Sequence, residues 1–149
     1  MNAEHINPFI KGSQAVINSV CGESPALGKA FIKNPPFEAQ PVAITVAVSG
    51  GINGTVAYCM QQDTGLFIAS KMMGMAVADL DPMSQSALSE LVNMVSGNVA
   101  TAFAGMDIKA EFQAPVFQSS FYPALTTTVA CVPLTLQNGM VFEVNVCLA

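Results

Sequence analysis

Three stretches of the chain carry apolar residues at the spacing of an amphipathic helix. The first, residues 7–22, begins at Asn7-Pro8, because Asn can cap free backbone N–H groups and Pro fits a first helical turn. A shorter helix is predicted over 63–74, with Asp63 as its cap and a glycine at its end. The third, over 81–105, opens on Asp-Pro, a start signal of the same type.

Between and after these helices, runs of β-branched and apolar residues predict six strands. Two pairs of runs flank an Asn-Gly turn, at residues 53–54 and 138–139, which is typical of a β-hairpin. The predicted fold is therefore α+β, a mainly antiparallel six-stranded sheet with about three helices on one face. The strands lie near 29–32, 42–48, 55–60, 109–116, 126–134 and 140–146.

The two halves of the chain show the same order of elements: helix, glycine, one strand, then a hairpin. The offset is 83 residues between Gly22 and Gly105, and 85 between the two Asn-Gly turns. An internal duplication explains this agreement, and so does coincidence within a helix-plus-hairpin fold.

The long third helix has one apolar stripe and one polar face. At about 100° per residue, Glu90, Asn93 and Gly97 point directly away from the stripe. Ser86 shares their face, and Met94 lies at its margin. The stripe, which we expect to be buried, consists of Leu88, Leu91, Val92, Val95, Val99, Ala102, Phe103 and Met106.

A Glu-x-x-Asn pair occurs twice in the chain, at Glu90–Asn93 and at Glu4–Asn7. A solvated helix face is the usual explanation of such a pair, and spacing alone does not overturn it. The Glu4–Asn7 pair ends at the expected helix cap, so its two side chains would not be held on one rigid helical face, and we interpret that pair as accidental. Asn98 falls at the edge of the apolar stripe, which favours a structural contact over a catalytic role.

The composition excludes several classes of function. Apolar residues make up 52% of the chain and charged residues 10%, so much apolar surface must be buried. The length of 149 residues is that of a single domain, which we expect over 1–149. The net charge is −5, with no Arg and five scattered Lys, which makes a nucleic-acid partner improbable.

Turn-forming residues interrupt both charge-free stretches, 39–62 and 112–142, so no membrane span is expected. The N-terminal residues lack an export pattern, and we expect a cytoplasmic location. The four cysteines show no Cys-x-x-Cys spacing and the chain has one His, so neither a metal site nor a Cys-His pair is indicated. Four buried, reduced thiols are expected instead.

The neighbourhood of Glu90 resembles one known family. The segment 89–101, SELVNMVSGNVAT, together with KMMGM at 71–75, LDPM at 80–83 and the opening MNAEHINPFI, resembles the CheX family of chemotaxis phosphatases. Related CheC-type proteins carry a second acid-and-Asn pair on the first helix. At the 83-residue offset, Asn7 and Ile10 stand at those positions here, which implies one site per chain.

The resemblance implies a mechanism and partners. Asn93 would orient the water that attacks the phosphoaspartate of a CheY-like response regulator, and Glu90 would accept a hydrogen bond from a Lys of the regulator. Ser86, Met94 and Gly97 would contact that partner. The resemblance also implies a homodimer formed through the sheets, no cofactor in this chain, and Mg²⁺ in the regulator's own site.

Two other functions fit the same residues. The third helix could bind and sequester a regulator without hydrolysis, because docking requires the same shape and charge. Alternatively, the charge-poor strands could serve a purely structural dimerisation domain. Release of phosphate distinguishes the first alternative from the phosphatase.

Overall fold

The computed structural model describes residues 2–35, 40–119 and 128–149, and it confirms the α+β class. Three helices pack on one face of an antiparallel sheet. The helices are α1 (Ala3–Cys21), α2 (Gln62–Met73) and α3 (Pro82–Ala104). The strands are β1 (Ala26–Leu27), β2 (Phe31–Lys33), β3 (Val42–Gly50), β4 (Gly54–Met60), β5 (Ala110–Phe112), β6 (Val116–Ser119), β7 (Val129–Thr135) and β8 (Val141–Leu148).

The first helix begins earlier than the sequence predicts. Asn2, and not Asn7, is its N-cap, and the Asn2 side chain accepts a hydrogen bond of 2.9 Å from the backbone N–H of Glu4. Pro8 consequently lies inside the helix. The extra turn is held by tertiary contact, because the ring of His5 lies 6.0 Å from that of Phe103 in an edge-on arrangement.

The predicted helix ends are close to those observed. Gly22 and Gly74 follow α1 and α2 with φ of 75° and 68°, the left-handed conformation that glycine adopts at little cost. Helix α2 begins one residue before the expected cap, so Asp63 lies in its first turn. An acid there interacts favourably with the helix dipole.

The sheet is six positions wide, as predicted, but the described residues form eight strands in it. Its order is β1-β7-β8-β4-β3-β5, with β2 also paired to β7 and β6 also paired to β3. Each outer position is thus divided into two short strands. Gly28 lies between β1 and β2, and its N–H donates to the Pro133 carbonyl at 2.8 Å. Pro115, which has no N–H to donate, lies between β5 and β6. The predicted start of the fifth run, at residues 126–127, lies outside the described residues.

The order of the strands supports an internal duplication. Strands β4 and β8 pair at the centre, and each belongs to a hairpin, β3–β4 in the first half and β7–β8 in the second. Each hairpin is then flanked by the short strands of the other half: β5 and β6 lie beside β3, and β1 and β2 lie beside β7. The halves are therefore related by an approximate twofold axis between β4 and β8.

The core lies between the helices and one face of the sheet. Strand residues that alternate along β3 and β8, such as Ile44 and Val144, meet the buried faces of α1 and α3 there. Cys59 and Cys131 are buried as expected, whereas Cys21 and Cys147 are half-buried. No helix within 2–35, 40–119 and 128–149 has the length and apolar character required to cross a bilayer.

Candidate functional site

Helix α3 is a rigid support because its N-terminus is capped and its apolar face is packed in the core. The Asp81 carboxylate accepts hydrogen bonds from the backbone N–H and the hydroxyl of Ser84, at 2.8 and 2.7 Å. These bonds hold the pKa of Asp81 below its usual range, since they favour the charged form. Most of the predicted stripe is fully buried, with no exposed surface at Leu88, Leu91, Val92, Val95, Val99 and Phe103.

The opposite face of α3 presents Glu90, Asn93 and Gly97 to solvent, as the periodicity predicts. The acid and the amide are one helical turn apart. Within the part of the chain that the structure describes, neither side chain forms a hydrogen bond or an ion pair. Both functional groups are therefore uncommitted in the isolated chain and available to a partner.

Gly97 leaves a gap on this face. A Cβ placed there would meet no heavy atom within 4 Å beyond its own stretch of helix, so nothing within the chain requires glycine. Its carbonyl accepts a hydrogen bond of 3.1 Å from the Thr101 hydroxyl, so that side chain is turned back onto the helix. A partner could approach the α3 backbone closely at this point.

The other residues expected to contact a partner also lie on the surface. Ser86 is exposed, and Met94 is 37% exposed beside Asn93. Sequence analysis missed Met83, which is 69% exposed in the first turn of α3. At about 100° per residue Met83 shares the face of Glu90, so the same periodicity could have identified it. Methionine side chains adapt readily to a binding partner.

Glu90 is the only charged residue in the sequence of α3. No cation or second acid therefore stands three or four positions from it on the helix, where such pairs interact. A single carboxylate on an otherwise uncharged face suits recognition of one cation on a partner.

A polar cluster on the sheet face away from the helices has a structural role. The Lys33 ammonium donates to the Glu143 carboxylate at 2.7 Å, and the Gln40 amide donates to its other oxygen at 3.0 Å. Burial alone would raise the pKa of Glu143, but the hydrogen bonds from Lys33 and Gln40 outweigh it and hold that pKa below its usual range. Burial, followed by the charge of Glu143, raises the pKa of the Cys131 thiol to about 12, so this thiol is protonated near neutrality and is not a nucleophile.

Two members of the predicted stripe are not in the core. Ala102 is exposed and Met106 is 39% exposed, although Phe103 between them is fully buried against α1. Both line a groove of about 480 Å³ between the two helices. This α1–α3 groove is lined by Glu4, Asn7, Pro8, Lys11, Gly12 and Ala15 of α1, by Asn98 and Ala102 of α3, and by Met106 just after the end of α3.

The residues of α1 that might have formed a second site are placed differently from Glu90 and Asn93. Ile10, which the 83-residue offset sets opposite Asn93, is only 9% exposed and packs in the core. Glu4 and Asn7 both lie on the helix, so the expectation that this pair ends at the helix cap was wrong. They face the groove rather than an open surface. Asn98 contacts the neighbouring helix, as expected, since its Cβ lies 3.6 Å from where a Gly12 Cβ would stand.

The fold is shared with solved structures. The CheX of a CheX–CheY–beryllofluoride–magnesium complex from Borrelia burgdorferi superimposes with a TM-score of 0.83 at 24% identity, covering 97% of each chain. CheX from Vibrio vulnificus gives 0.85 at 20% identity over 99% of this chain and 100% of the other. Identities this low establish the fold and nothing further.

The sequence comparisons identify the family. The CheY-P phosphatase CheX of Thermotoga maritima is 32% identical over 101 residues, which cover 67% of this chain and 65% of that protein. The match thus spans just under two thirds of that relative. The family model described as chemotaxis phosphatase CheX matches residues 42–134, a range that contains all of α3. As its motif predicts, the chain belongs to the CheX family of chemotaxis phosphatases.

Proposed function

We propose that this chain hydrolyses the phosphoaspartate of a CheY-type response regulator, with Asn93 orienting the attacking water and Glu90 fixing the position of the regulator. The observation that carries the proposal is the exposed, uncommitted Glu90–Asn93 pair on one face of a rigidly packed helix, beside the gap at Gly97. The name of the Thermotoga maritima relative and the presence of CheY in the Borrelia burgdorferi complex support it.

The chemistry demands little of the phosphatase. Phosphoaspartate is an acyl phosphate, already activated, and the regulator's own Mg²⁺ neutralises the charge on its oxygens. Hydrolysis then requires a water held in line with the bond to the leaving carboxylate. This chain needs no nucleophile, metal or cofactor of its own for that task.

An amide is well suited to orienting a water. Its oxygen accepts a hydrogen bond while its NH₂ group donates one, so Asn93 can set both the position and the orientation of a water without becoming charged. The precision comes from α3, because Leu91, Val92 and Val95 on its buried side have no exposed surface. A loop would hold the same amide less accurately.

Glu90 sets the docking register. Its carboxylate can accept a charge-assisted hydrogen bond from a Lys at the regulator's phosphorylation site. Since α3 carries no other charge, that bond permits one arrangement of the two proteins, with Asn93 one turn further along the helix. The small surface at Gly97 lets the regulator's backbone approach.

Phosphate release from a phosphorylated CheY-type regulator with Mg²⁺ tests the proposal. The native chain should accelerate release, and Asn93→Ala should reduce kcat about 100-fold or more while binding of the regulator is nearly unchanged. Glu90→Ala should impair both kcat and binding. Gln137→Ala, which also removes an amide side chain but at an exposed turn away from the helices, is the control and should behave as the native chain.

Two outcomes would overturn the assignment. Native activity in Asn93→Ala would remove this residue from the mechanism. Binding without faster release, across several regulators, would favour a sequestering module over a phosphatase.

The proposal extends to a homodimer in the cytoplasm. Leu27 and Ile32 are each 60% exposed on the short strands at one edge of the sheet, and Val116 is 52% exposed at the other. Exposed apolar edges of this kind pair readily with another chain. Light scattering at micromolar concentration tests the dimer, and a monomer there would count against it. Cell fractionation tests the location.

A further inference from the structure

The α1–α3 groove leaves uncovered some of the apolar surface that the helical pattern places in the core. Ala102 and Met106 continue the stripe that Val95 and Val99 begin, yet both are exposed in the groove. Exposed apolar surface in a concave setting commonly marks a binding site. The groove holds about 480 Å³, enough for one large apolar side chain and its neighbours.

Small residues keep the groove open. The helices are in close contact at Gly12, where a Cβ would lie 3.1 Å from Val99 Cγ2 and 3.5 Å from the Val95 carbonyl oxygen. On the solvent side of this contact, α1 offers Ala15 and α3 offers Ala102, and neither is large enough to fill the space. The groove therefore exists because these positions hold small residues, although larger apolar side chains could also pack between two helices.

The rim of the groove is polar and carries one cation. Lys11 and Glu4 lie on it with Asn7 and Asn98, and within the described part of the chain neither charged side chain is in an ion pair. In a chain of net charge −5 with no Arg, an exposed Lys beside an apolar groove favours a partner that presents an acid next to an apolar group.

The groove adjoins the Glu90–Asn93 face, because Asn98 in its lining lies only about 100° around the helix from Gly97. Asn98 directly follows Gly97, and Asn93 is about 8 Å from Asn98 along the helix axis, at 1.5 Å per residue. Even transient signalling complexes bury several hundred Å² on each partner. One helix face with a single charge and a few small side chains supplies little of that area, so a regulator seated over Gly97 would extend over the groove.

We propose that the α1–α3 groove is a second docking surface for the same response regulator, receiving an apolar side chain of the regulator with an acidic group facing Lys11. This inference rests on the function proposed above. Its role is positioning, because Glu4 and Asn7 line a groove between two helices and not the open helix face that presents Glu90 and Asn93. Glu4 and Asn7 therefore contact the regulator without acting on its phosphate.

Binding and turnover are measured separately, with CheY of Thermotoga maritima as the probe. Its complex with beryllofluoride and Mg²⁺ is titrated calorimetrically, and release of phosphate from its phosphorylated form gives kcat and KM. Ala102→Phe fills the groove and Lys11→Glu reverses the rim charge. Each should raise Kd and KM about tenfold with kcat within about twofold of native. Ala114→Phe and Lys29→Glu, the same changes at exposed positions away from α1 and α3, are the matched controls.

Thermal melts establish that each variant is folded, and the exposed positions make a change in Tm small. Native Kd and KM in both Ala102→Phe and Lys11→Glu would overturn the groove as a docking surface. A loss of kcat at unchanged KM in the double variant Glu4→Ala, Asn7→Ala would overturn its positioning role in favour of a second catalytic pair.

The two proposals fail differently. If the native chain binds the beryllofluoride complex without accelerating phosphate release, the phosphatase assignment fails. The Kd values of the groove variants then still test whether the groove is a docking surface. If the native chain shows no binding to this regulator or to others, the groove has the wrong occupant and this inference fails as well.

Discussion

Replacing Gly97 by alanine should stabilise the free protein while impairing its action on the regulator. Glycine in a helix interior costs about 1 kcal/mol relative to alanine. Gly97 is exposed, and its new Cβ would meet no heavy atom within 4 Å beyond the local helix. With no steric penalty to offset the gain, the free energy of unfolding should rise by about 1 kcal/mol and Tm by roughly 3 °C.

The same methyl group should reduce activity if the regulator's backbone packs against Gly97. Adding a methylene-sized group to a close-packed contact typically costs 1–3 kcal/mol. A value near the lower end corresponds to a kcat/KM about tenfold lower. Glu90 and Asn93 are unchanged in this variant, so the loss would come from the distance between the two proteins.

Thermal and urea unfolding give the first effect, and phosphate release from a phosphorylated CheY gives the second. Gly12→Ala is the control for the stability argument. It also replaces a helical glycine, but its Cβ would lie 3.1 Å from Val99 Cγ2, so the stabilisation should be reduced or reversed. A Tm of Gly97→Ala at or below native would refute the helix argument. Native kcat/KM would refute the close approach at Gly97.

Further predictions concern the support of the site and the sheet. Leu91→Ala, directly behind the Glu90–Asn93 face, should cost about 2–5 kcal/mol of stability in urea unfolding, because the side chain has no exposed surface. Asp81→Ala should destabilise α3 at pH 7. Since the pKa of Asp81 is lowered on folding, the difference from native should disappear in acid, once the carboxyl is protonated in the folded chain as well, and a constant difference would exclude the charged cap. Glu143→Gln should cost roughly 1–2 kcal/mol near neutrality by weakening the bond to Lys33. On folding, the pKa of Glu143 is lowered and that of Lys33 is raised. The difference in free energy of unfolding between the native chain and Glu143→Gln should therefore shrink both in acid and at strongly alkaline pH.

The start of α1 shows where local sequence signals are ambiguous. Asn2 and Asn7 are both suitable caps, and Pro at position 8 favours the second by its conformation alone. Tertiary contact decided between them, because the longer helix places the ring of His5 against that of Phe103, at 6.0 Å. Packing of this kind outweighs one backbone hydrogen bond lost at Pro8.

The apolar stripe of α3 shows a similar limit. Periodicity correctly placed Val95, Val99 and Phe103 in the core, but it could not show that Ala102 would lie beyond the area that α1 covers. Whether Ala102 and Met106 are covered depends on the path of a helix that lies far away in the sequence. The groove therefore could not be predicted from the sequence, and neither could the proposed second docking surface.

By itself, the sequence determined the fold class, the order of the elements and the outward direction of Glu90, Asn93 and Gly97. Each of these depends on a local regularity: helix period, turn residues, or capping and terminating residues. The tertiary structure alone decided the start of α1, the division of the outer strands and the position of Glu4 and Asn7 in a groove. Those features depend on contacts between distant segments, whose free energies exceed the local preferences of the chain.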